Sequence, residues 1–167
     1  MTYNEAKDKF IQTWGALGTT WGINKAMAQI QALLFISTEA LTMEEIMDEL
    51  QISRGNASMN LRQLMDWGIV FKESKRGERK EYFTTEKDVQ ELARQIAKER
   101  SRREIKPVIK VLKELSDIKK DGSAKNDEFI KQTKSLYELA ETADTMLEKM
   151  VNHKQNWITK SIFKMIK

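Results

Sequence analysis

Apolar residues recur along most of the chain at helical spacing. Between residues 4 and 17, Phe10, Trp14 and Leu17 stand four and three apart, which places them on one face of a helix. Gly15, Gly18 and Gly22 weaken helix toward its end and predict a break near 18–22. A second helix is predicted from Asn24 to Ser37. Its Ile30, Leu33, Leu34, Phe35 and Ile36 leave almost no polar side, the pattern of a buried helix. Thr42-Met43-Glu44-Glu45 reads as a capping box, followed by Ile46, Met47 and Leu50 on one face. Gln51-Ile52 interrupts, Ser53 can cap a further helix from Arg54 to Trp67, and Gly68 is placed to stop it. Two short strands follow, 69–72 and 81–84, around the charged turn Ser74-Lys75-Arg76-Gly77-Glu78-Arg79.

From Lys87 onward the pattern is helical again, with Val89, Leu92, Ile96 and Ile105 marking a face. Pro107 either kinks this helix or starts another, whose stripe is Val108, Val111, Leu112 and Leu115. Lys119 to Asn126 reads as a polar loop. A long helix from Asp127 to Val151 carries Phe129, Leu136, Ala140, Ala143, Leu147 and Met150 at heptad-like spacing. That stripe is either a dimer seam or an internal core face, and the small body available to cover it favours the seam. The tail from Trp157 to Ile166 reads as a short basic amphipathic helix, better explained by packing on a dimer partner than by lying on an anionic membrane.

Composition narrows the chemistry. The 167 residues include one proline and no cysteine, which excludes disulfides, thiolate metal sites and a cysteine nucleophile. His153 alone cannot build a multi-histidine metal site. No phosphate-binding glycine loop, nucleophile elbow or paired-acid motif is present, so no catalytic residue, metal or cofactor is expected. No apolar run reaches the roughly 18 residues of a membrane span. The N-terminus lacks a secretory pattern, and a soluble cytoplasmic protein is expected.

The net charge of +4 is modest, and its placement is more informative. Glu39 to Leu50 holds five acidic residues and no Lys or Arg. The following helix holds Arg54 and Arg62 and no acid as far as Met65. Helix, tight turn, helix and basic hairpin is the order of a winged helix-turn-helix, in which the second helix enters the major groove. Ser53, Arg54, Asn56, Ser58, Asn60 and Arg62 are the candidate DNA contacts on that helix. Lys75, Arg76, Arg79 and Lys80 are the candidates on the wing. Asn56 and Asn60, four apart, are expected to face the groove together, with Met59 and Leu61 turned inward. A winged helix that binds protein instead of DNA is the alternative. Arg94 to Arg103 is a further basic stretch, equally well read as a solvated face. Trp14, Trp21, Trp67, Trp157, Tyr3, Phe129 and Tyr137 could form a cage for a quaternary ammonium, although ordinary packing accounts for scattered aromatics.

Several motifs taken together resemble one family. Trp14-Gly15, Gly18, Trp21-Gly22-Ile23, Leu41 to Ile46, Ile52 to Ser58, Leu61, Leu64, Trp67 to Val70, Gly77 to Lys80 and Tyr82 are similar to the GbsR-type branch of the MarR superfamily, over residues 10 to 85. The resemblance implies a homodimeric repressor with terminal helices for dimerisation. Some members of that branch answer choline-like osmolytes, so a small-molecule effector of unknown identity is a possible partner beside double-stranded DNA. The expected fold is mainly α, with a two-stranded β-wing. Residues 1–22 are expected to form an N-terminal helix of the dimerisation region, 23–86 the winged helix-turn-helix domain, and 87–167 a helical dimerisation region; the helix 54–67 and the basic wing 72–83 of the dimer would read an inverted-repeat operator.

Overall fold

A computed structural model describes residues 1–152, so the tail that contains Trp157 lies outside the described residues. The chain divides into two units, Met1–Leu92 and Ala93–Lys167.

The first unit is built around the helix Lys25–Ile36 (α2), in which every residue from Ala26 to Leu34 is buried. Asn24 caps its start through Ala26 and Met27 N–H. Lys87 closes its end, where Nζ donates to the carbonyls of Leu34 (2.6 Å), Phe35 (2.9 Å) and Ser37 (2.7 Å). An ammonium suits those otherwise orphaned carbonyls, and its partial burial lowers its pKa.

The helix Tyr3–Thr20 (α1) packs along α2. It runs through Gly15 and Gly18 to Thr20 and is capped at Trp21, so the chain breaks within the predicted 18–22. Gly22 then takes φ +75°, and Ile23 N–H bonds Gly18 O at 2.8 Å. The two interior glycines are contact points instead of breakers. A Cβ on Gly18 would lie 2.5 Å from the Cβ of Ala28, and one on Gly15 would lie 2.7 Å from Gln29 Cγ. The buried face of α1 is accordingly Ile11, Gly15 and Gly18. Leu17 of the expected stripe is exposed, and Phe10 and Trp14 stack beside the contact with ring centroids 5.7 Å apart. Across the contact Trp14 Nε1 donates to Gln31 Oε1 (2.8 Å) and Gln29 Nε2 to Gln12 Oε1 (3.1 Å), while the buried Gln31 Nε2 has no partner among the described residues.

On its other sides α2 meets helices Met43–Leu50 (α3) and Arg54–Asp66 (α4) and the strand Glu81–Thr85 (β3). β3 is the centre of a three-stranded antiparallel sheet, between Leu41–Thr42 (β1) and Val70–Ser74 (β2). The register sets Leu41 opposite Phe83, Lys72 opposite Phe83 on the other side, and Ser74 opposite Glu81. β1 was not expected from the sequence. Phe83, Ile46, Ile30, Leu33, Leu61, Leu64 and Ile69 close the core.

The second unit contains the end of the helix Val89–Arg100 (α5), a π-helical turn at Ser101–Ile105, and an antiparallel hairpin of Lys106–Ser116 (α6) and Ala124–Asn152 (α7). Pro107 sits in the first turn of α6, directly after the π-helical turn, and the backbone stays helical from Val89 to Ser116. Lys106 meets Glu148 (2.8 Å) at one end of the hairpin and Lys120 meets Asp127 (3.9 Å) at the other. α7 begins three residues earlier than expected because Ser123 caps it, accepting from Asn126 N–H. Among the described residues, none of α6 is buried, and the buried side chains of this unit are Glu99, Ser101 and Thr133. No helix among the described residues is long and apolar enough to cross a membrane.

The Gly18 contact gives a direct test. Gly18→Ala raises intrinsic helix propensity, yet the added methyl collides with a buried methyl on α2. We expect a net loss of about 1–3 kcal/mol in urea denaturation; an unchanged or higher stability would show that the α1–α2 spacing is soft.

Candidate nucleic-acid interface

The pair α3–α4 is set by three local devices. Thr42 and Glu45 form the reciprocal capping box: Thr42 Oγ1 accepts from Glu45 N–H (3.2 Å), and the Glu45 carboxylate accepts from Thr42 N–H (2.7 Å). That backbone N–H, with the Thr42 hydroxyl, holds the Glu45 carboxyl below its ordinary pKa. Gln51 then enters the left-handed region at φ +51°, and Ile52 N–H returns to Met47 O, turning the chain sharply. Ser53 caps α4 by accepting from Asn56 N–H at 3.3 Å. At the far end Gly68, at φ +70°, stops α4 as its sequence position indicates, with Ile69 N–H on Leu64 O.

α4 has a clear inside and outside. Ala57, Asn60, Leu61 and Leu64 point into the core. Gly55, Ser58, Met59 and Arg62 follow one another at spacings of three, one and three on the opposite side, where Met59 is 59% exposed. A glycine within a helix costs about 0.5–1 kcal/mol relative to alanine. A Cβ at Gly55 would meet nothing within 4 Å, so the packing of this chain does not call for a glycine there.

The hairpin β2–β3 stands off the body. Every residue from Phe71 to Glu81 is exposed, and Gly77 makes the turn at φ +86°. Lys72 pairs with Glu81, and Lys75 lies over the Tyr82 ring at 4.1 Å, while Tyr82 donates its hydroxyl hydrogen to Glu78. The hydrogen bond to Glu78 pushes the Tyr82 pKa up.

The MarR family model matches residues 21–81, the stretch that runs from the end of α1 to the start of β3. This segment belongs to the MarR family. The HTH-type transcriptional repressor GbsR of Bacillus subtilis (strain 168) is 30% identical over 84 residues, 50% of this chain and 46% of the repressor. The match thus spans about half the length of that relative. A crystal structure of a transcriptional regulator superposes with a TM-score of 0.58 at 17% identity, covering 86% of this chain and 99% of that one. That likeness is one of fold.

Within the MarR-family segment the candidate residues separate into groups. Ser53 is a cap. Arg54 is exposed but engaged: its Nη2 donates to Glu44 at 2.5 Å across the turn. The Glu44 carboxyl is held low by a backbone hydrogen bond and then by this guanidinium, with a smaller contribution from the charge of Lys80. Arg62, Arg76 and Arg79 are exposed and make no ion pair among the described residues. Ser58 is half-buried on the outer side. Lys75 and Lys80 are exposed on the wing.

Asn60 does not stand with them. It is fully buried, and its Nδ2 donates to Asn56 O (2.8 Å) and Asn56 Oδ1 (2.6 Å). Asn56 is therefore tied to Asn60, and the two do not present a joint face to a partner. Met59, expected inward, is outward. The helical phase shared by Ala57, Leu61 and Leu64 fixes both outcomes, since Asn60 lies three after Ala57 and four before Leu64. Of the candidate cage aromatics, Trp14 is bonded to Gln31 and Trp67 is buried in the first unit, Tyr137 in the second donates to Glu141, and Trp157 lies outside the described residues.

Asn60→Ala removes both hydrogen bonds to Asn56 and leaves a gap in the core. The expected result is a loss of about 1–3 kcal/mol in urea denaturation. An unchanged midpoint would place Asn60 outside the packed interior.

Proposed function

We propose that the chain is a homodimeric, DNA-binding transcriptional regulator of the repressor type that reads an inverted-repeat operator. The observation that carries this reading is the outer side of α4, which holds Arg54 and Arg62, has no acid between Ser53 and Met65, and is joined by a wing whose exposed tip carries Lys75, Arg76, Arg79 and Lys80. A helix of this kind fits the major groove, and a basic hairpin beside it supplies phosphate contacts without sequence information. The family of residues 21–81 and the named function of the Bacillus relative support the same reading.

The Arg54–Glu44 pair fits this role. Both partners are more than half exposed, and such pairs contribute little to stability, so a phosphate can take the guanidinium from Glu44 at small cost. A partner with weaker negative charge competes poorly, and the acid works as a discriminator.

Dimerisation is read from the exposed apolar side chains. Val108, Val111 and Leu115 stand out from α6, Ile118 just beyond its end, and Phe129, Leu136, Leu139 and Met146 from α7. We assign residues 87–167, with the N-terminal helix in 1–22, to the dimer contact and 23–86 to DNA. A two-fold dimer presents two α4 helices, and half-sites about 10 bp apart match the spacing of such pairs.

Two measurements test the reading. In gel-shift titrations on genomic fragments, affinity should fall steeply with salt, and Arg76→Ala with Arg79→Ala should reduce the negative log–log slope by roughly 2 while the preferred sequence persists. An unchanged slope removes the wing from the interface, and no shift at moderate salt favours a protein-binding winged helix. Sedimentation at micromolar concentration should give a dimer; a monomer independent of concentration refutes the dimer contact.

A further inference from the structure

The outer side of α4 holds two residues that the body of the protein does not explain. One is Gly55, a glycine in the second position of a regular helix, with open space where its side chain would be. The other is Met59, one turn further along the same side, with a large apolar side chain 59% exposed. A single exposed methionine is ordinary on a surface. Its position is not: it lies directly after a site stripped of its side chain, between Arg54 and Arg62, in a stretch free of acids.

We propose that Gly55 and Met59 form a methyl-reading patch. Gly55 lets the α4 backbone approach the floor of the major groove, and Met59 packs on the C5-methyl group of a thymine. This rests on the DNA-binding reading above. The major groove is where thymine displays that methyl, and an apolar side chain is the group that distinguishes it from cytosine's bare edge. Methionine suits the task because its unbranched, polarisable chain adapts to an irregular apolar surface. The flanking arginines hold the helix on the phosphates and leave the apolar centre to make the discrimination. Asn60 has no place in the patch, because the phase of Ala57, Leu61 and Leu64 turns it inward, one residue out of step with Met59.

The experiment begins with selection of bound sequences from a random duplex pool by the wild-type full chain. Each thymine of the selected site is then replaced in turn by deoxyuridine, which deletes the C5-methyl and nothing else. Binding of wild type and Met59→Ala is measured by fluorescence anisotropy. One replacement should weaken wild type about fourfold, the factor that corresponds to loss of one buried methyl-sized group, and Met59→Ala should show no loss at that same thymine. Gly55→Ala should unfold at the same or a higher temperature, yet bind the selected site about fivefold or more weakly, the loss of one base contact. Equal methyl sensitivity in wild type and Met59→Ala, a selected site with no methyl-sensitive thymine, or full affinity in Gly55→Ala each overturns the patch while leaving DNA binding intact. Failure of wild type to enrich any sequence overturns the DNA reading and the patch together.

Discussion

A helix with no polar side has to be covered on every side, and in this chain α2 imposes that demand. Nine consecutive buried residues from Ala26 to Leu34 leave room for nothing but other elements around them. α1 comes close enough only because Gly15 and Gly18 present backbone where a side chain would collide with Gln29 and Ala28. Most polar atoms trapped in that contact are matched, Gln31 Oε1 by Trp14 and Gln29 Nε2 by Gln12, and Gln31 Nε2 is left without a partner among the described residues. At the end of α2, where the last carbonyls would face the interior unmatched, the chain supplies an ammonium from Lys87, more than fifty residues on. The remaining sides are closed by α3, α4 and β3.

The orientation of α4 follows from this. Ala57, Asn60, Leu61 and Leu64 are committed to the interior, so the residues half a turn away are the ones left to meet a partner. The turn before it works with the same economy. Gln51 in the left-handed region changes the chain direction within one residue, and the two caps, Thr42 and Ser53, start both helices where their side chains can satisfy free N–H groups. The acids of α3 and the arginines of α4 are thereby brought across one tight turn, which is why Glu44 and Arg54 meet.

Much of this was legible in the sequence because it rests on local chemistry. The capping box at Thr42–Glu45, the cap at Ser53, the stop at Gly68 and the wing tip at Gly77 are each decided within a few residues. What was missed depends on neighbours distant in the chain. β1 is two residues long and exists because Leu41 and Thr42 pair with Phe83 and Tyr82. Gly15 and Gly18 read as breakers by propensity, while their packing partners lie on α2. Asn60 and Met59 were exchanged because residue type was weighed above helical phase; the phase of Ala57, Leu61 and Leu64 places Asn60 inside. In α7 the side facing α6 is Ile130, Thr133, Tyr137, Ala140, Asp144 and Leu147; it shares Ala140 and Leu147 with the predicted stripe, while Phe129, Leu136 and Ala143 of that stripe fall one residue out of step, on the outside.

That displaced register has a physical consequence. The α6–α7 contact mixes half-buried apolar side chains, Ile109 and Leu112 on α6 and Ile130, Ala140 and Leu147 on α7, with polar ones: Ser101 of the preceding π-helical turn donates to Asp144, Lys106 bridges to Glu148, and Thr133 is buried with its hydroxyl bonded back to its own helix. Such polar contacts fix how two helices are aligned, because each has few acceptable partners, but they release little apolar surface from water. The surface that could supply stability, from Val108 to Leu115 on α6 with Ile118 just beyond it, and from Phe129 to Met146 on α7, is left outside. Two exposed stripes on a hairpin with few buried side chains fit the proposed dimer, in which the polar contacts would set the alignment and the apolar side chains would meet the partner. In the proposed dimer, folding of this half of the chain and pairing of two copies would then draw on the same buried area, so that the geometry presented to DNA depends on the pairing itself.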